Sequence, residues 1–166
     1  MVGEENQSYA EGGNQKLRKI LFRGKRTDNG RWAYGNLLTM FVDDVEQFCI
    51  CGRDFDYLRS DKSFTPRNCY RVHENTICEY TGLNDKHQRP VFEGDLVKTA
   101  DGYIGTVAHG WFRPYHGEVT EQFGYGYYIA WSNNKYLRQD ISFWVASEKI
   151  EVTGNLFDAE NGGEQN

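Results

Sequence analysis

Short runs of alternating apolar and polar residues, separated by turns that contain glycine, make up most of the chain. The first two runs, residues 20–26 and 31–38, flank a turn that contains Asn29-Gly30, a dipeptide that supplies the positive φ angles of a tight hairpin turn. Gly24 and Gly35 inside these runs indicate bulges or close backbone contacts. The residues expected to share one buried face, at a period of two, are Ile20, Phe22, Trp32 and Tyr34.

The same pattern returns after residue 71, with an Asp101-Gly102 hairpin signal between two apolar runs. The strands predicted in this half are residues 76–80, 96–99, 103–107, 124–132, 141–145 and 150–156. We therefore predict a mostly β protein, with an N-terminal β-hairpin unit followed by a C-terminal SH3-like barrel.

Three other segments complete the predicted organisation. Residues 1–16 and 158–166 are polar and contain few apolar side chains, so we expect two disordered tails. Residues 41–70 have no clear period and are interpreted as an irregular insertion within the hairpin region 17–70, where a short helix over residues 43–48 is possible. The predicted barrel spans residues 71–157.

Composition supports the β class and limits the partners. The chain has 166 residues, 15% of them aromatic, and 18 Gly against 3 Pro, which favours strands and tight turns. The net charge of -5 disfavours nucleic acid as a partner. No apolar run is long enough for a membrane span and the N-terminus does not resemble an export signal, so we expect a cytoplasmic protein without a membrane partner.

The four cysteines are expected to be reduced thiols, because disulfides persist mainly in exported proteins. A zinc site is a weaker alternative, since its spacing does not match the usual Cys-x-x-Cys pairs. The residues that this alternative would use are Cys49, Cys51, Cys69, His73 and Cys78.

Aromatic residues are concentrated between residues 103 and 131, more densely than the interior of one small barrel can absorb. These aromatic residues either pack in the core or are exposed, and exposed rings contact a second subunit or another protein or stack on unpaired bases. We favour contact with a second copy of the chain or an unidentified protein partner. The residues predicted to make this contact are Trp111, Phe112, Tyr115, Phe123, Tyr125 and Tyr127.

Acidic and glycine residues in the turns are interpreted as structural, because carboxylates accept neighbouring backbone N–H bonds. A hydrolase with paired carboxylates is the alternative, but no other feature of the sequence supports it. The sequence contains no nucleophile motif, no zinc-protease motif and no phosphate-loop motif. We therefore predict no enzymatic activity and no cofactor. The predicted structural turn residues are Gly82, Asp85, Glu93, Gly94, Asp95, Asp101 and Gly102.

Three sequence blocks resemble the YopX family of phage and prophage proteins. They are Phe22-Arg23-Gly24-Lys25 with Gly30-x-Trp32-x-Tyr34-Gly35, then Glu74 to Asp85 with Phe92-Glu93-Gly94-Asp95, and finally Val152-Thr153-Gly154-Asn155-Leu156-Phe157. The resemblance implies an all-β protein of phage or prophage origin, located in the bacterial host, with self-association in some members. It implies no activity and no catalytic residues. We interpret the chain as a non-enzymatic interaction and oligomerisation module, with a small-barrel protein that binds single-stranded nucleic acid or nucleoprotein as the alternative.

Overall fold

The computed structural model describes residues 19–52, 54–58, 63–113, 123–132, 140–147 and 149–159. The predicted N-terminal tail, residues 1–16, lies outside these residues. The strands are β1 (Phe22–Lys25), β2 (Trp32–Val42), β3 (Val45–Cys51), β4 (Phe55–Leu58), β5 (Ser63–Pro66), β6 (Cys69–Arg71), β7 (Cys78–Asn84), β8 (Pro90–Phe92), β9 (Asp95–Thr99), β10 (Ile104–Phe112), β11 (Gly124–Trp131) and β12 (Ile150–Asn155). The helices are a 3-10 turn (Glu74–Thr76), α1 (Ile141–Ala146) and α2 (Leu156–Ala159).

The predicted mostly β class is confirmed. Six strands form a large antiparallel sheet in the order β6-β3-β2-β1-β7-β8, and four form a small antiparallel sheet in the order β11-β10-β9-β12. Strands β4 and β5 form a separate ribbon. The large sheet therefore contains strands from both sides of residue 71, where the predicted barrel begins.

The small sheet is not closed into a barrel by the described strands, so the predicted SH3-like barrel is not formed as a closed wall. Strands β11 and β12 are the two edges of this sheet. Residues 141–145, predicted as a further strand, form α1 instead. Asp140 caps this helix by accepting a hydrogen bond from the Phe143 N–H at 3.1 Å, and Ile141 and Trp144 are buried, three residues apart on one helical face.

The first hairpin forms where it is predicted, but the predicted face is wrong. Phe22 lies opposite Gly35, whereas Arg23 lies opposite Tyr34 and Lys25 opposite Trp32. Residues directly opposite each other share a face, so Trp32 and Tyr34 lie with the two cations and Phe22 lies on the other side. The length of the turn sets this register, and a shift of one residue exchanges the faces of a strand.

Close backbone approach at Gly35 is confirmed. A Cβ atom added there would lie 2.0 Å from the carbonyl oxygen of Cys51. Any larger residue would therefore separate β2 from the end of β3. At Gly24 the added atom would lie 3.0 Å from Val72 Cβ, which is also a tight contact.

The region predicted as an irregular insertion contains β3 to β6, and the possible helix over residues 43–48 is wrong. Asp43 and Asp44 have φ values of 50° and 61°, and they connect β2 and β3 as a two-residue hairpin loop. Both central residues of such a loop need positive φ, which Asp tolerates better than most residues. The two acidic residues thus reverse the chain and do not cap a helix.

Three hydrophobic clusters stabilise the part of the fold that the structure describes. The first packs α1 against the small sheet and contains Val91, Val97, Val107, Ile129, Ile141, Trp144 and Ile150. The second contains Leu21, Cys78, Tyr80 and Phe92. The third lies within the large sheet and contains Ala33, Ile50 and Val72.

Candidate interaction surface

An exposed group of aromatic rings lies on the β10–β11 hairpin. The same face of this hairpin carries buried core residues nearer its other end. Gly105, Val107, His109 and Trp111 of β10 lie opposite Trp131, Ile129, Tyr127 and Tyr125 of β11. Val107 and Ile129 are buried in the core, whereas Trp111 is 68% exposed and Tyr125 is 63% exposed. We call the outer part of this face the aromatic surface; it consists of His109, Trp111, Phe123, Tyr125 and Tyr127.

The rings of the aromatic surface contact one another. The ring centroids of Trp111 and Tyr125 are 5.1 Å apart, and the His109 ring lies 5.0 Å from Tyr125 and 4.8 Å from Tyr127. The Trp111–Tyr125 and His109–Tyr125 contacts are edge-to-face, an arrangement that is favourable for aromatic rings. The Arg113 guanidinium lies 5.2 Å from the centroid of Phe123, at cation–π distance. The surface is therefore an ordered set of rings with one cation at its end.

The structure divides the predicted contact residues. Trp111, Phe123, Tyr125 and Tyr127 belong to the aromatic surface. Phe112 lies on the opposite face of the hairpin and stacks on Tyr128, with ring centroids 5.7 Å apart. Tyr115 lies outside the described residues.

A buried ion pair lies where the large and small sheets meet. The Arg23 guanidinium donates to Asp95 Oδ1 at 2.5 Å, and both side chains are at least 90% buried. Its carbon lies 4.7 Å from the Trp32 ring centroid and 4.6 Å from that of Phe92. Burial raises the pKa of Asp95, while the Arg23 charge and three hydrogen bonds act in the opposite direction.

The turn at Glu93 and Gly94 holds this ion pair in place. The Asp95 carboxylate also accepts hydrogen bonds from the Phe92 N–H at 2.8 Å and the Asn155 amide at 3.3 Å. Gly94 has a φ of 77° and donates its N–H to the Val107 carbonyl. The turn residues predicted as structural therefore connect β8, β9, β10 and β12.

Sequence reasoning missed a second cation beside this pair. Lys25 Nζ donates to the Phe157 carbonyl at 2.8 Å and forms an ion pair with Asp158 at 3.0 Å. Trp32 Nε1 donates to the same Asp158 carboxylate at 3.1 Å. Asp158 begins the predicted C-terminal tail, but it belongs to α2; residues 160–166 lie outside the described residues. The sequence feature that could have revealed this second cation is the placement of Arg23 and Lys25 at alternate positions of one strand, which puts both on the same face.

Asp85 is a second buried carboxylate in a turn. It accepts hydrogen bonds from the backbone N–H groups of His87, Arg89 and Val152 at 2.8 to 3.0 Å. The Arg89 side chain donates to Asp85 Oδ2 at 2.7 Å and 2.8 Å. Burial alone would raise the pKa of Asp85, but the backbone and Arg89 hydrogen bonds outweigh it and lower the pKa.

The remaining predicted turn residues lie in turns or strand irregularities. Asp101 and Gly102 connect β9 to β10, and the turn is closed by hydrogen bonds from the Gly102 N–H to the Thr99 carbonyl and from the Thr99 N–H to the Tyr103 carbonyl. Gly102 has a φ of 90°. Gly82 has a φ of 87° within β7, between the two residues where the β7–β8 register shifts.

The expectation of four reduced thiols is wrong for one pair. Cys51 of β3 and Cys69 of β6 lie directly opposite each other and form a disulfide. Cys49 is free and partly exposed, and Cys78 is free and buried. Burial raises the pKa of the Cys78 thiol, although the nearby Arg23 charge lowers it.

The disulfide also separates the residues of the zinc alternative. Cys51 and Cys69 are bonded to each other, Cys78 lies in a different cluster, and His73 is exposed. Within the part of the chain that the structure describes, no three His, Cys, Asp or Glu side chains are grouped as metal ligands. Among those same residues, no helix has both the length and the apolar character needed to cross a membrane.

The described strands and the buried charges between them define a class, a mostly β protein of two antiparallel sheets joined by an ion pair. A model of the YopX family, described as YopX protein, matches residues 21–161. The chain belongs to this family. A search of the curated proteins found no match.

Proposed function

We propose that the protein is a non-enzymatic interaction module that self-associates through the aromatic surface. The observation that supports this most directly is the exposure of Trp111 and Tyr125 on a face whose inner half is buried core. Exposed aromatic groups of this kind are typical of the centres of protein interfaces. A second copy of the chain would extend the core outward by covering these rings.

The character of β11 favours a second copy as the partner. It is an edge strand of the small sheet, bridged on its outer side only at Tyr128 by Asp140 within the described residues, and its sequence, Gly124–Trp131, contains no charged residue. Edge strands that must remain single usually carry charges or proline, which prevent pairing with another chain. In a two-fold contact each copy would present the same rings to the other.

The non-enzymatic part of the proposal rests on how the buried charged groups are used. Arg23 pairs with Asp95, Lys25 with Asp158, and Asp85 with Arg89 and three backbone groups. These groups hold turns and sheets together. The family resemblance further supports a phage or prophage origin and a location in the cytoplasm of the bacterial host, which we include in the proposal.

The proposal is tested by measuring mass in solution by analytical ultracentrifugation over a range of protein concentrations. We expect the wild-type chain to associate and the variant with Trp111→Ser and Tyr125→Ser to associate less. Phe41→Ser is the matched control, because Phe41 is 72% exposed but lies on the β2–β3 hairpin, on the face opposite to Val42 and Val45. An unchanged mass in the double variant would contradict the proposal.

Binding of single-stranded nucleic acid is the second candidate, supported by the Arg113 cation beside the Phe123 ring. Stacking of bases on rings contributes about 1–3 kcal/mol for each base. This candidate predicts salt-dependent retention on an oligonucleotide column, lost in the variant with Tyr125→Ala and Tyr127→Ala. Absence of retention at low salt would rule it out. The net charge of -5 favours the first candidate.

A further inference from the structure

A second exposed apolar region lies on the β2–β3 hairpin, away from the aromatic surface. Its face is formed by alternate residues of both strands, because Val42 lies opposite Val45, and Leu38 lies opposite Cys49. Val42 and Val45 are 49% and 56% exposed. On the far side of β3, Arg71 of β6 lies opposite Cys49.

This face carries an open groove of about 450 Å³, which we call the hairpin groove; it is lined by Met40, Val42, Asp43, Val45, Gln47, Cys49 and Arg71. Its floor is mostly apolar, formed by Met40, Val42, Val45 and Cys49, with the polar Gln47 opposite Met40. Its two ends carry opposite charges: Asp43 stands at the tip of the hairpin and Arg71 at the base. The stretch of β3 from Val45 to Cys49 separates the two ends by roughly 13 Å.

The charges at the ends of the hairpin groove have no ionic partner within the described residues. Buried cations of this fold pair with carboxylates, as Arg23 does with Asp95, whereas Arg71 and Asp43 are exposed and form no ion pair there. An exposed apolar floor between two unpaired opposite charges is typical of a surface that another chain covers.

We propose that the hairpin groove binds the hairpin groove of a second copy, in a two-fold contact separate from the aromatic surface. In such a contact a residue at one end meets the residue at the other end of the partner copy. Turning one hairpin end for end over another places each Asp43 beside the Arg71 of the second copy. The apolar floors then face each other between the two ion pairs.

The distribution of charge in the hairpin groove favours a second copy of the chain as its partner. A groove with charge of one sign would repel a second copy of itself and would require a partner of opposite charge. In the hairpin groove, a two-fold rotation brings the acidic Asp43 end of one copy to the basic Arg71 end of the other. The chain therefore contains both halves of the contact.

Charge reversal tests the inference in the background of Trp111→Ser and Tyr125→Ser, where contact through the aromatic surface is removed. We expect this background protein to form dimers through the hairpin groove. Adding Arg71→Asp or Asp43→Lys should weaken dimerisation about tenfold or more, because like charges then meet at both ends.

Mixing the two charge-reversal variants in equal amounts should restore the dimer. In the mixed dimer, position 43 of one copy is now basic and meets position 71 of the other copy, which is now acidic. At the opposite end the unchanged Asp43 of one copy meets the unchanged Arg71 of the other. Both ends therefore carry opposite charges again.

Cys49 provides a second measurement that does not depend on a substitution. It lines the hairpin groove, whereas Cys78 is buried and Cys51 and Cys69 are bonded to each other. Maleimide labelling of the native protein should therefore report mainly on Cys49. The labelling rate should fall as protein concentration rises through the range in which dimers form. Positive φ at position 43 disfavours Lys. Circular dichroism therefore checks that the Asp43→Lys variant is folded. Arg71→Asp alone tests charge reversal without this backbone strain.

The outcomes separate this inference from the proposed function. A background protein that is monomeric, with Cys49 labelled at the same rate at every concentration, overturns the second copy as occupant and leaves the aromatic surface untouched. A background protein with the same mass as the wild type supports the hairpin groove and contradicts the aromatic surface. Failure of the mixed variants to restore the dimer also overturns the proposed pairing of Asp43 with Arg71.

Discussion

At the scale of single residues, Asp85 holds together a turn and the edge strand β12. Its carboxylate is buried and accepts three backbone N–H bonds and the Arg89 side chain. An isosteric amide keeps the shape but presents two donors where only acceptors fit. Replacing Asp85 by Asn should therefore cost the free energy of leaving buried hydrogen-bonding groups unsatisfied.

We predict that Asp85→Asn lowers the free energy of unfolding by about 1–3 kcal/mol at neutral pH. The folded pKa of Asp85 lies below its usual value, so the ionised group stabilises the fold above the unfolded pKa, and this stabilisation is lost as pH falls through the folded pKa. The difference between wild type and variant in urea unfolding should therefore shrink between neutral pH and about pH 3. Asp44→Asn, at the exposed hairpin tip, is the control, and an equally large effect there would contradict the prediction.

Gly94 and Gly82 separate the cost of backbone conformation from the cost of packing. Both have positive φ, at 77° and 87°. A Cβ atom at Gly94 would lie 3.2 Å from Phe157 Cε2, whereas at Gly82 it would meet nothing within 4 Å. We predict that Gly82→Ala costs about 1–2 kcal/mol and that Gly94→Ala costs more, measured by thermal and urea unfolding. Equal costs would show that packing at Gly94 is unimportant.

The residue scale also shows what the sequence can reveal about the site. The turn roles of Asp85, Gly94 and Asp95 are readable, because the residue types of turns are set by local backbone conformation. The partner of Asp95 is not readable, since Arg23 is 72 positions away. The exposed rings are readable as a surplus of aromatic residues, but the register of β10 and β11 decides that Phe112 lies on the opposite face.

At the scale of elements, the disulfide joins β6, the edge strand of the large sheet, to β3. It closes a chain segment with a sequence separation of 18. We predict that reduction with dithiothreitol lowers the free energy of unfolding by about 3 kcal/mol, because the reduced unfolded chain is less constrained. Urea unfolding with and without reductant measures this difference.

The variant with Cys51→Ser and Cys69→Ser should have the reduced stability and should not respond to reductant. Cys49→Ser is the matched control on the same face of β3, and it should respond as the wild type does. A wild-type stability that reductant leaves unchanged would contradict the prediction.

At the scale of the whole molecule, the Arg23–Asp95 pair couples the two sheets. Arg23 lies in β1 of the large sheet and Asp95 in β9 of the small sheet. Removing one partner of a buried ion pair leaves an unpaired buried charge, which typically costs about 3–5 kcal/mol. We predict a loss of this size for Arg23→Met, measured by urea unfolding with tryptophan fluorescence.

A second substitution checks the cause. Asp95→Asn combined with Arg23→Met should recover part of the loss, because the unpaired charge is then removed. Arg31→Met is the control at an exposed position of the same hairpin. If the double variant is no more stable than Arg23→Met alone, the prediction that the loss comes from an unpaired buried charge is contradicted.

The sequence alone determined the mostly β class, the positions of the glycine turns and the family, because these follow from alternation and from backbone preferences within a few residues. The tertiary structure decided the strand register, the Cys51–Cys69 disulfide, the helix at 141–146 and the ion pair between the sheets. Each of these depends on contacts between residues distant in sequence or on which face of an element becomes buried. Local pattern does not contain that information, since several registers and packings satisfy the same alternation.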